Sequence, residues 1–129
     1  MLTSTPALLD ENRERLVASF SRDMLKDPYV EVFRRISYDE LEKLLRSIVM
    51  SLSAYLDGND GEFNRCFELV GNTCFQLSVP LLETAYALFL LREKTVDFLA
   101  SGQDHDSASE SDRAAKFFDR LVLELLRTY

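Results

Sequence analysis

The stretch "QLSVPLLE", residues 76–83, places a proline inside the most apolar part of the chain. How it is read decides how many helices the fold contains. Ser78 is a suitable helix N-cap, and Pro80 fits a first helical turn, where its missing N–H has no helical partner to lose. Glu83 then suits the positive end of the helix dipole. The local chemistry predicts that one helix ends near Leu77 and another starts near Leu81. The alternative is a single helix kinked at Pro80.

Upstream of this break, Phe63, Cys66, Phe67, Val70, Cys74 and Leu77 recur at helical spacing from about Gly61. Gly71 follows Val70 on nearly the same face and either admits a close neighbour or leaves space beside it. Downstream, the helix from Leu81 to about Ala100 is apolar over much of its circumference, through Leu82, Ala85, Tyr86, Leu88, Phe89, Leu90, Leu91, Val96, Phe98 and Leu99. Such a helix is either central in a bundle or carries an intermolecular face.

The remaining segments are also helical. Thr5–Pro6 reads as a hydroxyl cap followed by proline at the first helical position. The helix it opens carries Leu8, Leu9, Leu16, Val17, Phe20, Met24 and Leu25, and Asp27–Pro28 stops it. One or two helical turns are expected around Val30, Val32, Phe33 and Ile36. Ser37-Tyr-Asp-Glu40 is a capping box, and the helix behind it has Leu41, Leu44, Leu45, Ile48, Val49, Leu52, Tyr55 and Leu56 on one side, ending at Gly58. Residues 101–112 read as a polar loop. The last helix, from about Ser111 to Tyr129, offers Ala114, Phe117, Phe118, Leu121, Val122, Leu125 and Leu126 to a core. It either ends at Tyr129 or runs on into a downstream module. The fold class is all-α: a single-domain helical bundle of about five long helices plus a short one, with a globin-like arrangement as one form.

Composition agrees with a single domain of 129 residues, large enough to bury roughly two-thirds of its unfolded surface. Only four glycines and three prolines occur, too few for the many turns of an all-β fold. A net charge of −7 argues against nucleic acid and against an anionic membrane surface, both of which select clustered cations. The run from Leu77 to Leu91 is interrupted by Ser78, Pro80 and Glu83, so no membrane span is expected. The start of the chain lacks a secretory pattern, and a cytoplasmic location is expected. Cys66 and Cys74 lie about 12 Å apart along one helix, too far to bridge, and read as buried small hydrophobes.

"DGNDGE" (57–62) superficially suggests a calcium loop. Glycine falls where an oxygen ligand belongs, and Glu62 where the loop needs glycine, so it reads as a turn. The single histidine, His105, lies between Asp104 and Asp106 in the polar loop, without the apolar helical wall that an axial haem ligand needs. One short acidic cluster makes no closed metal site. No phosphate-binding glycine motif occurs, and a nucleophile–histidine pair has no buried place to form. The expected protein is not an enzyme and carries no cofactor.

Three stretches together carry a family resemblance: the opening helix with Leu8, Leu9 and Arg13, the break with Gln76, Pro80, Leu81 and Glu83, and the Phe117-Phe-Asp-Arg120 entry to the last helix. Across nearly its whole length the chain resembles the N-terminal domain of the RsbT co-antagonist (RsbRD-type) proteins, also found ahead of histidine-kinase cores in bacterial signalling proteins. The resemblance implies an all-helical, globin-related sensory domain without haem, often dimeric, that passes a signal to an output module. It supplies no catalytic residues. The chain has no output module of its own, so a longer gene or a partner would provide one, of histidine-kinase or anti-sigma-antagonist type.

The expected function is therefore a sensory or regulatory domain acting through protein–protein contacts, with a homodimer expected from the apolar excess of the last two helices. A haem- or metal-binding globin-like protein and a small enzyme are the alternatives. A small-molecule cavity, if formed, would be lined by Cys66, Val70, Gly71 and Cys74 opposite Tyr86 and Phe89; close packing of these residues is the simpler outcome.

Overall fold

The computed structural model describes residues 4–101 and 107–128, and those residues contain helices and connecting turns but no strand. Its long helices are α1 (Thr5–Lys26), α2 (Tyr38–Leu56), α3 (Gly61–Gln76), α4 (Leu81–Ser101) and α5 (Ser107–Thr128), with a single 3₁₀ turn (Phe33–Arg35) between α1 and α2. The all-α bundle read from the sequence is the observed architecture.

Several boundaries follow from their caps. The N-cap of α1 is Ser4, one residue earlier than the expected Thr5: its hydroxyl accepts from the Ala7 amide at 3.2 Å. Pro6 then occupies the second helical position, where its absent N–H again costs no helical bond. Asp27 ends α1 in extended conformation, as the residue before a proline must. Ser37 caps α2 as expected, accepting from the Glu40 amide at 3.2 Å. Gly58, with φ of 105°, ends that helix.

The last helix starts at Ser107, within the polar segment 101–112 that had read as loop. Its serine-rich start and Glu110 in the first turn are what a helix N-terminus favours, so loop composition and helix-start composition coincide here. Glu110 pairs with Arg113 at 3.1 Å. Asp104, His105 and Asp106 lie outside the described residues.

Packing follows the apolar stripes. α1 lies along α2, α2 along α3, and α4 along α5. Arg92 of α4 meets Asp119 of α5 at 2.9 Å, while Leu81 and Thr84 share a pocket wall with Leu125. Residue numbers thus rise along one helix as they fall along the other, and α4 and α5 are antiparallel. Phe117 forms the hub where α2, α3 and α5 meet, with ring centroids 5.1 Å from Tyr55, 5.7 Å from Phe63 and 5.6 Å from Phe118. The Phe63 and Phe118 contacts are edge-on and the Tyr55 contact is tilted, and such aromatic pairs add about 0.5–1.5 kcal/mol each to the burial itself.

Polar seams fix register between neighbours. Glu14 receives Arg46 at 2.6 Å, and Ser53, buried in the α1–α2 seam, donates to Asp10 Oδ1 at 2.9 Å. The Arg46 bond holds the Glu14 carboxyl below the usual carboxylate range, against a smaller opposing effect of desolvation. The α1–α2 connection is fastened to α4 by two bonds. Glu83 Oε2 accepts from the Phe33 amide at 3.0 Å, and the Tyr86 hydroxyl donates to Asp27 Oδ2 at 3.0 Å.

Candidate functional site at the α3–α4 corner

Two backbone bonds close α3. The Ser78 amide donates to the Phe75 carbonyl at 3.1 Å and the Val79 amide to the Cys74 carbonyl at 2.9 Å. This is a Schellman closure, which requires a left-handed residue just beyond the helix. Ser78 supplies it, with φ of 57°. It is therefore the closing residue of α3 and not the N-cap of α4. The first bond of α4 is accepted by the Pro80 carbonyl, from the Thr84 amide at 3.0 Å. The chain breaks and restarts at this corner, and the single kinked helix is ruled out.

A surface pocket of ≈ 180 Å³ opens beside the corner, lined by Gly71, Cys74, Phe75, Val79, Leu81, Thr84 and Leu125. The Schellman closure itself builds part of the wall: the Val79 amide bonds back to the Cys74 carbonyl, and both residues line the pocket. The only side-chain hydroxyl in the lining, that of Thr84, donates to the Pro80 carbonyl at 3.1 Å. No charged residue lines the pocket.

A second, much smaller space of ≈ 20 Å³ lies among Phe20, Met24, Phe33, Ile48, Leu88 and Leu91, with Val70, Cys74 and Thr84 also on its wall. That volume is about one water molecule, and its lining gives a water no set of polar partners. Cys74 and Thr84 line both spaces and form the partition between them. Burial pushes the Cys74 thiol up from its ordinary value, the Thr84 hydroxyl draws it partway back, and Glu83 raises it again. A thiol held in its neutral form is a packing group rather than a nucleophile.

The six residues expected to line a cavity divide between different places. Val70 reaches the inner space, Gly71 the outer pocket, and Cys74 both. Cys66 is fully buried but lines neither; desolvation, then the Glu62 carboxylate, push its thiol up to about 12, with the Ser51 hydroxyl opposing. Tyr86 and Phe89 do not oppose the cysteines. Tyr86 lies toward α1, its ring 5.6 Å from that of Tyr29, and partial desolvation with the Asp27 carboxylate raises its phenol. Phe89 points outward and is 51% exposed. From α4, Leu81 and Thr84 line the outer pocket with Gly71 and Cys74, and Thr84, Ala87, Leu88 and Leu91 line the inner space with Val70 and Cys74. Leu125 comes from the far end of the chain, and no pattern in the sequence places it here.

Chain-wide comparison gives no relative. No protein-family model matches this chain, nor does any curated protein or solved structure. Among the described residues, no three His, Cys, Asp or Glu side chains gather as metal ligands would, and no helix is long and apolar enough to cross a membrane.

Two more open grooves are also present among the described residues. One of ≈ 640 Å³ runs between α1 and α4, lined by Arg15 and Arg22 of α1 and by Lys94, Asp97 and Phe98 of α4. The other, of ≈ 350 Å³, lies between α2 and α3. On the outer side of the α4–α5 pair, Leu82 is 81% exposed, and Phe89, Leu123 and Leu126 are about half exposed.

Proposed function

We propose that this chain is a non-catalytic sensory or regulatory domain of bacterial signal transduction, of the RsbT co-antagonist type, that works through protein–protein contact. The observation that carries the reading is the exposed apolar face of α4 and α5. Because the two helices are antiparallel, Leu82 and Phe89 of α4 lie toward the same end as Leu123 and Leu126 of α5. Exposed apolar groups gathered on one face mark an interaction surface. A two-fold dimer would bury that face against its own copy, giving a four-helix contact in which each protomer contributes α4 and α5. An output module, of histidine-kinase or anti-sigma-antagonist type, is the partner to which such a dimer would pass its signal.

The unpaired, buried thiols of Cys66 and Cys74 suit a reducing cytoplasm, which is the compartment this reading assigns. Light scattering tests the interaction surface. A dimer is expected at micromolar concentration, and Phe89→Glu with Leu126→Glu is expected to give a folded monomer. A wild-type chain that stays monomeric at high concentration would remove the support for this reading.

A further inference from the structure

We propose that the corner pocket binds a small apolar molecule about the size of one aromatic ring, seated against Cys74 and Thr84. Four features of the pocket lead there.

The first is chemistry. The lining carries no charge, and its one hydroxyl already donates to the Pro80 carbonyl. A polar or ionic ligand would lose its water without gaining partners, whereas an apolar one exchanges water for carbon contacts. The second is size. The ≈ 180 Å³ of this pocket is of the order of the ~150 Å³ apolar cavities that accept benzene or xenon.

The third is enclosure. Cys74, Val79, Thr84 and Leu125 are exposed by only 6%, 8%, 3% and 2%, so they form a floor rather than a surface. Phe75, 77% exposed, stands at the mouth, and Gly71 contributes no side chain that would fill the space. The fourth is compliance. A ≈ 20 Å³ space on the inner side, also lined by Cys74 and Thr84, leaves room for a small inward shift of either side chain. A tightly packed wall would resist that displacement.

The site joins four elements: the end of α3, the 77–80 corner, the first turn of α4, and Leu125 of α5. Leu125 is next to Leu126 of the exposed face, so a ligand pressing between α3 and α5 would alter how that face is presented. This regulatory role rests on the function proposed above; binding itself does not.

The experiment is a titration of the 129-residue chain with benzene, followed through its methyl signals by NMR, with light scattering on the same samples. Saturable shifts are expected at Val79, Leu81 and Leu125, with Kd of about 1 mM. Benzoate, similar in shape but charged, should bind at least tenfold more weakly. Gly71→Ala, which adds a methyl to the wall, and Phe75→Ala, which opens the mouth at an exposed position, should each weaken benzene severalfold. The second variant leaves the core intact, so the result does not depend on the first one folding.

The proposal is overturned if folded wild-type protein shows no saturable shift up to the solubility of benzene. It is equally overturned if benzoate binds as well, if neither variant changes the affinity, or if the shifts map to Leu82, Leu123 and Leu126 instead. A monomer in the light-scattering arm would count against the interaction surface and leave the binding result standing.

Discussion

α2 and α3 end with the same pair of hydrogen bonds on very different residues. After α2, the Gly58 amide donates to Tyr55 and the Asn59 amide to Ala54, each at 3.0 Å; after α3, Ser78 and Val79 make the equivalent bonds. Gly58 meets the positive φ without a side chain, and a Cβ built on it would touch nothing within 4 Å. Ser78 meets it at φ of 57° with a side chain present, a conformation that costs a non-glycine residue roughly 1–2 kcal/mol. The residue that follows explains how each end is held. Asn59 is exposed, whereas Val79 is 8% exposed and packs into the corner. The first closure is made by backbone freedom alone, and the second is held in a strained conformation by apolar burial. Strain over-determined by its surroundings is a common property of sites.

The largest effect that sharpens this contrast comes from pH. Cys66 lies mid-helix, away from the corner, and its folded-state pKa of about 12 is raised above its unfolded value. Above pH 9 the unfolded chain loses this proton first, so stability is intact below that pH and is lost as pH rises toward 12. The decline should approach about 1.4 kcal/mol per pH unit. Urea unfolding at pH 8 to 11.5 measures it. Cys66→Ala should flatten the curve substantially more than Cys74→Ala, because Cys74, on the pocket wall, is less completely buried.

Next in size is the anchor itself. Val79→Ala should destabilise the protein by about 1–3 kcal/mol, while Asn59→Ala at the matching place after α2 should stay within about 0.5 kcal/mol of wild type. Equal losses in urea unfolding would show that burial is not what distinguishes the two ends. Gly58→Ala should cost about 1–2 kcal/mol by thermal unfolding, entirely through the backbone because space for the methyl exists. Ser78→Gly is the smallest change and opposite in sign. It should raise stability by about 0.5–1 kcal/mol, relief of strain outweighing the added freedom of the unfolded chain. A Ser78→Gly variant with a lower Tm would mean that the serine is not strained.

Much of the fold was legible because local chemistry and packing agree. The Ser37 cap and the α2 stripe from Leu41 to Leu56 point to the same helix at every level. Pro80 likewise marked the break. What escaped was detail for which the sequence carries two readings or none. Serine is a favoured N-cap and an uncommon left-handed residue, so the sequence alone points Ser78 toward the wrong helix. Ser4 and Thr5 are both capping hydroxyls, and only the bond to the Ala7 amide separates them. On α4 the difficulty is symmetry: a helix apolar nearly all round does not announce which face is inside, so Phe89 and Thr84 could not be told apart by period. The pocket was half legible. Gly71 and Cys74 are on its wall, but Leu125 joins them only through tertiary packing.

The two bonds that fasten the α1–α2 connection to α4 have a consequence for the order in which the chain folds. Most contacts in this bundle join helices adjacent in sequence, and such local contacts form early and fast. Glu83 to Phe33 spans 50 residues and Tyr86 to Asp27 spans 59, so closing them carries a larger loop-closure cost and they are expected to form late. They would then act as a latch between the two halves. The Phe33 amide, whose bond is to the Glu83 carboxylate, is then a natural reporter for hydrogen exchange: its protection measures how often the two halves of the molecule part without unfolding.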